Sequence, residues 1–216
     1  MQVKFCGITQ IDDAEAAVAL GADAIGLVFY PPSPRAVSLE TAKTLSAVIS
    51  PFTSIVALVV NASGDDVRQI CQTVPVDVIQ FHGDESAVEC QALAGVVNKR
   101  WIKALRVNSK TDTQASVAQK INGFAAAGAS GVILDAYHEA QYGGTGQRFD
   151  WELIPDNSAL PIILAGGLTP ENVAQTLSLA VAGVDVSGGI EAQKGKKDAA
   201  KMRAFMKAVK RDRWQL

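Results

Sequence analysis

Only 6% of the 216 residues are aromatic, only three are cysteine and only two histidine, and neither charge sign dominates. Each shortage excludes something. Cys6, Cys71 and Cys90 are an odd number without close pairing, so neither a disulfide framework nor a zinc knuckle is expected. No cluster of His, Cys and carboxylate has the spacing of metal ligands, so no metal site is expected. Twenty basic residues against 22 acidic ones leave a net charge of −2, which gives nucleic acid or an anionic membrane no electrostatic foothold. Met1 to Thr9 hold no apolar run of signal-peptide length. Leu45 to Gly64 is uncharged and nearly long enough to span a bilayer, but Pro51 interrupts it and six Ser, Thr and Asn residues stud it. It reads as a helix end, a turn and a buried strand. A reducing, cytoplasmic setting is the expectation.

What the chain has in quantity is apolar residues, 48% of the total, which is ample for a core. They fall in eight short runs rich in Val and Ile: 3–6, 24–29, 55–60, 76–81, 101–107, 131–134, 161–164 and 183–186. Continuous runs of this length suit parallel strands covered on both faces. Helical patterns separate them: 12–20, ending at Gly21; 38–49, opened by Ser38; 65–72; 85–93; and 113–127. Thr169-Pro170-Glu171 has the order of an N-cap, a first-turn proline and an acid at the positive end of the dipole. After Asp150 there is room only for a short helical turn. Lys194 to Arg213 carries nine basic residues, with Met202, Phe205, Met206 and Val209 at helical spacing. It reads as a final amphipathic helix with a solvated basic face.

Eight units in 216 residues average 27 each (216/8). Gly21, Gly128 and Gly183, each just ahead of a strand, lie 107 and 55 residues apart, close to four and two such periods. The pattern predicts an α/β fold of one domain spanning residues 1–216, a single (β/α)8 TIM barrel. A doubly wound open sheet would carry a Gly-rich phosphate turn after strand one, and Cys6-Gly7-Ile8-Thr9 is not one.

In such barrels the chemistry sits where strands end. Those ends deliver Cys6, Arg35 (after a Pro-rich turn), His82, Asp135, Gly166-Gly167 and Ser187-Gly188-Gly189. The glycine pairs after strands seven and eight let backbone N–H groups approach a ligand, and loops at these two strands form the usual phosphate site of the fold. Taken alone, either pair is equally well a tight turn requiring positive φ. A thiol at a strand end can act as base or nucleophile once activated, whereas Cys71 and Cys90, inside helical patterns, are small hydrophobes. Asp135 closes a greasy strand, a place carboxylates avoid unless paired or functional. Strands one and six face each other across the mouth, so a base and an acid there would flank a bound sugar. Arg35 suits a ligand carboxylate. His138 and the Tyr142–Gly146 segment suggest a lid. No nucleotide fingerprint and no GxSxG elbow is present.

Lys4-Phe-Cys6-Gly-Ile-Thr, Gly26-Leu-Val-Phe, Ser33-Pro-Arg35, Gln80-Phe-His82-Gly and Leu134-Asp135 closely resemble phosphoribosylanthranilate isomerase. So do Gly143-Gly-Thr-Gly146, Phe149-Asp-Trp151, Leu164-Ala-Gly-Gly-Leu168 and Asp185-Val-Ser187. The resemblance implies an Amadori rearrangement in tryptophan biosynthesis: N-(5-phosphoribosyl)anthranilate becomes 1-(2-carboxyphenylamino)-1-deoxyribulose 5-phosphate, with no cofactor. It implies Asp135 as general acid, Cys6 as general base, and Arg35 on the anthranilate carboxylate. His82 and Asp185 join the substrate site, and Gly166, Gly167, Ser187, Gly188 and Gly189 hold the phosphate. The only expected partner is the phosphorylated substrate, and the chain is expected to be a monomer or weak homodimer. Gly188 departs from the serine usual in the family, and Pro31-Pro32 is unusual ahead of Ser33. Two alternatives stay open: the related aminosugar-phosphate isomerase of histidine biosynthesis, which uses two carboxylates, and a barrel that binds a sugar phosphate without turnover.

Overall fold

A computed structural model describes residues 1–136 and 148–210. The apolar runs are parallel strands: β1 (Gln2–Cys6), β2 (Ala24–Phe29), β3 (Ser54–Val59), β4 (Val78–Phe81), β5 (Arg100–Val107), β6 (Gly131–Ala136), β7 (Ile162–Leu164) and β8 (Gly183–Val186). Each pairs with the next, and β8 returns to β1 through Gln2↔Gly183 and Val3↔Val184, closing the barrel. Every expected strand is present.

Both faces of these strands are buried, for different partners. On β1, Val3 and Phe5 face the helical shell, and Phe5 meets Phe205 edge-on with ring centroids 6.1 Å apart. On β4 and β5, Phe81 and Trp101 pack the same way, and Trp101 continues onto Phe124. The alternate residues point into the barrel. Ile102, Ala104, Ile133, Ile163 and Ala165 form one apolar cluster there, and Val28, Leu58, Val60 and Cys6 form another. This two-sided burial is why the runs show no polar alternation.

The helices are α1 (Ile11–Ala19), α2 (Leu39–Ser46), α3 (Gly64–Thr73), α4 (Ala87–Val97), α5 (Gln114–Ala126) and α6 (Ala199–Val209). Hydroxyls open four of them. Ser38, Ser63, Ser86 and Thr113 each accept a hydrogen bond from the backbone N–H three residues on, and the last three complete capping boxes. Gly21 follows α1 at φ +75°, as a C-terminal glycine should. Trp151–Leu153 is a short 3-10 turn.

Three expectations need correction. Thr169 does not cap a helix. Its N–H goes to Asn172 Oδ1, its carbonyl accepts from Asn172 and Val173, and the element that follows is a 3-10 helix, Val173–Ser178. The helix expected from Glu85 starts at Ala87, because Ser86 is the cap and Glu85 is drawn inward to Lys103. The basic run is not one solvated helix. It begins as an antiparallel hairpin of β9 (Glu191–Gln193) and β10 (Lys196–Lys197), and α6 starts only after Asp198 accepts from Ala200 and Lys201. Lys197 is buried within the barrel mouth, not on a wet face. The expected lid at Tyr142–Gly146, with His138, lies outside the described residues.

Candidate active site

At the C-terminal ends of the strands a cavity of about 530 Å³ opens. Cys6, Arg35, His82, Asp135, Gly166, Gly167, Asp185, Ser187, Gly188 and Gly189 all line it, so every residue expected at the site borders one space. Tyr30, Pro32, Thr169 and Lys194 add to its rim.

One side of the cavity is built by β1, β2 and β8. Cys6 and Lys4 both point inward, two residues apart. Lys4 Nζ lies 3.0 Å from Asp185 Oδ1, with both side chains buried. Burial, helped by Asp185, holds the Cys6 thiol above its ordinary range, and the Lys4 ammonium, ahead of Lys197, offsets only part of that rise. Another side is built by β4 and β6. Asp135 is buried, and its Oδ1 accepts from the N–H of Ala136 at 2.8 Å. His82 Nε2 stands 3.5 Å from Asp135 Oδ2, while the side-chain amide of Gln80, completely buried, lies 3.0 Å from His82 Nδ1. Among the described residues Nε2 itself has no hydrogen-bond partner, and it faces Asp135. A neutral imidazole so placed can donate to a carboxylate or accept from a carboxylic acid, depending on its tautomer.

The remaining polar groups form a buried chain that no pattern in the sequence connects. Arg35 Nε and Nη2 fork onto Glu191 Oε1 and Oε2 at 2.7 and 2.8 Å. Glu191 Oε1 also receives Lys197 Nζ at 3.0 Å, and Lys197 donates on to the carbonyls of Cys6 at 2.7 Å and Ser187 at 3.2 Å. Burial pushes Glu191 up, but Arg35 and Lys197 outweigh it and hold the carboxyl below its ordinary range. Lys197 thus ties the end of β1 to the end of β8, and Glu191 fixes the Nε/Nη2 edge of the Arg35 fork. Glu191 and Lys197 carried no strand-end signal because the hairpin, not a strand of the barrel, delivers them.

The two glycine turns differ in their reasons. Gly166 and Gly167 have φ of +83° and +62°, and Asn172 Nδ2 donates to the Gly167 carbonyl at 2.8 Å. At Gly189 the constraint is space: a Cβ would fall inside the Leu168 carbonyl oxygen and 2.9 Å from its carbon. The loops after β7 and β8 therefore touch backbone to backbone there. At Gly188 a Cβ would meet Arg35 Nη2 at 3.4 Å and Glu191 Oε2 at 4.0 Å, ordinary contacts, so a Cβ is tolerated where this chain has glycine.

Residues 3–208 match the family model of N-(5'-phosphoribosyl)anthranilate (PRA) isomerase. The N-(5'-phosphoribosyl)anthranilate isomerase of Pseudomonas fluorescens is 51% identical over 209 residues, covering 96% of this chain and 95% of that one. The Neisseria meningitidis enzyme is 47% identical over 212 residues, covering 98% and 97%. The crystal structure of phosphoribosyl anthranilate isomerase from Thermotoga maritima superposes with a TM-score of 0.84 at 34% identity, covering 97% of this chain and 98% of that one. A structure of the enzyme in complex with reduced 1-(o-carboxyphenylamino)-1-deoxyribulose 5-phosphate gives 0.78 at 31% identity, with the same coverage. The match spans the barrel and its mouth alike: the chain belongs to the N-(5'-phosphoribosyl)anthranilate isomerase family.

Proposed function

We propose that the chain, by its family an isomerase of tryptophan biosynthesis, converts N-(5'-phosphoribosyl)anthranilate to 1-(2-carboxyphenylamino)-1-deoxyribulose 5-phosphate with Asp135 as general acid and Cys6 as general base. The observation that carries this reading is that a carboxyl on β6 and a thiol on β1 border the same cavity, with His82 beside the carboxyl and Lys4 beside the thiol. Asp135 gives its proton to the ribose ring oxygen as the bond from that oxygen to C1 breaks, and the anthranilate nitrogen lone pair forms the C1=N iminium. The Cys6 thiolate takes the proton from C2, and the released pair forms C1=C2 and neutralises the nitrogen. The enolamine then loses its C2 hydroxyl proton and gains one at C1, giving the ketone with no net change in atoms or electrons.

Arg35, oriented by Glu191, offers Nη1 to the anthranilate carboxylate. Asp185 takes ribose hydroxyls. Backbone groups at Gly166, Gly167, Gly188 and Gly189, with Ser187, take the phosphate. His82 supports Asp135 in both of its protonation states. The chain acts as a monomer or weak homodimer, since one mouth supplies every named group.

The test is kinetic. Cys6→Ser and Asp135→Asn should each lower kcat by about 10²-fold or more while a folded barrel persists by circular dichroism. A variant that keeps most of its kcat removes that residue from its role. Ligand binding without turnover in the wild type would favour the binding-only alternative.

A further inference from the structure

Cys6 poses a problem for the reading above. It sits 5% exposed against Val28, Leu58 and Val60, surroundings in which a thiol stays protonated and is a poor base. Two residues earlier on the same inward face is an ammonium. Its setting is specific: β1 and β2 pair Cys6 with Gly26, and a Cβ on Gly26 would lie 2.8 Å from Cys6 Sγ and 3.1 Å from both Lys4 Cε and Nζ. The absent side chain on β2 is therefore the space that thiol and ammonium share. Asp185, at 3.0 Å, is the one oxygen acceptor that Lys4 reaches among the described residues, for a group with three N–H donors. A buried ammonium with donors to spare beside a titratable thiol is suited to a second anion.

Building on the reading of Cys6 as base, we propose that Lys4 is a positioning residue: held by Asp185 and given room by Gly26, it is the counter-ion of the Cys6 thiolate. The charged groups around the thiol agree with this role. Lys4 on β1 is the largest influence opposing the burial of Cys6, Asp185 on β8 acts in the other direction, and Lys197 on β10 adds a weaker pull the same way as Lys4. Arg35 approaches from the loop after β2 but is committed to Glu191. Lys4 in turn stays ammonium despite complete burial, because Asp185 and Cys6 outweigh the desolvation. Asp185 thus has two tasks, one oxygen toward Lys4 and its carboxylate toward the cavity.

The experiment reads the thiol directly and needs no turnover. Alkylation of Cys6 by iodoacetamide is followed against pH, with the Cys6 peptide quantified by mass spectrometry so that Cys71 and Cys90 do not contribute. Lys4→Gln should raise the midpoint by about one pH unit or more, since an opposite charge within contact range moves a pKa by that much. Lys4→Arg should return it to the wild-type value. In kinetics, Lys4→Gln should lower kcat near neutrality with KM little changed, and recover part of the loss as pH rises. If Lys4→Gln leaves Asp185 orphaned and the barrel unfolds, Lys4→Gln with Asp185→Asn removes both charges, and the midpoint should still rise, by less. An unchanged midpoint in the folded single or double variant overturns the proposal. Should Cys6→Ser retain activity, the reading of Cys6 as base fails, and the alkylation midpoint still decides whether Lys4 governs the thiol.

Discussion

Gly188 and Gly189 are adjacent, both border the cavity, and should respond oppositely to a methyl group. A Cβ on Gly189 would overlap the Leu168 carbonyl oxygen, stand 2.9 Å from the carbonyl carbon and 3.2 Å from Thr169 Cα. All three obstacles are backbone, so no side chain can swing aside, and the loops after β7 and β8 must part by more than an ångström. If these loops hold the phosphate through their N–H groups, one such bond to a charged ligand is worth about 1.5–3 kcal/mol. Its loss corresponds to roughly a 10- to 150-fold rise in KM. Gly188→Ala meets Arg35 Nη2 at 3.4 Å and Glu191 Oε2 at 4.0 Å, both ordinary side-chain contacts, and should leave KM within about two-fold. Gly188→Ser adds a hydroxyl at the same uncrowded place and should not raise KM. Steady-state kinetics on the three variants, with thermal melts to confirm folding, give the comparison. A Gly189→Ala enzyme with wild-type KM, or a Gly188→Ala enzyme as impaired as Gly189→Ala, would refute the phosphate assignment.

Lys197→Met removes a buried cation and leaves the carbonyls of Cys6 and Ser187 without this donor. Losing one partner of a buried ion pair costs about 3 kcal/mol, and a melt should show it as a fall of roughly 6–12 °C for a chain of this size; an unchanged Tm would deny Lys197 its tie between β1 and β8. Glu191→Gln should give a flatter acid limb of stability. The folded carboxyl titrates below its ordinary 4.5, so the wild type holds this stabilisation above that pH and loses it as pH falls through the lower folded value. Urea midpoints from about pH 7 down to about pH 3 should therefore converge between wild type and variant, and parallel curves would contradict the assigned ion pairs.

The barrel was legible because parallel strands buried on both faces leave unbroken runs of Val and Ile, and a count of eight leaves few alternatives. Helix starts were legible where a hydroxyl caps, as at Ser38. They misled where the polar group had other business: the Thr169 side chain pairs with Glu171 while its N–H goes to Asn172, and Glu85 is claimed by Lys103. At the site, residues on strand ends announced themselves as polar letters closing apolar words, which is how Cys6 and Asp135 stood out. Lys4 and Gln80 gave no such signal, since an inward polar residue below the mouth looks like an interruption of the strand. Glu191 and Lys197 were hidden differently. They sit in a basic, helix-leading stretch, and only the β9–β10 hairpin turns them into the mouth. Arg35 was expected to reach a ligand, and the structure adds the carboxylate that aims it.

The central claim is that this mouth isomerises a phosphoribosyl arylamine with its own acid and base. The most direct measurement generates N-(5'-phosphoribosyl)anthranilate in situ, adds the purified protein with no metal or cofactor supplied, and follows the loss of substrate fluorescence. Rapid loss with the wild type, and a rate at least 10²-fold slower with folded Asp135→Asn, is the predicted result. Undiminished fluorescence with the folded wild type, or equal rates in the two proteins, would contradict it.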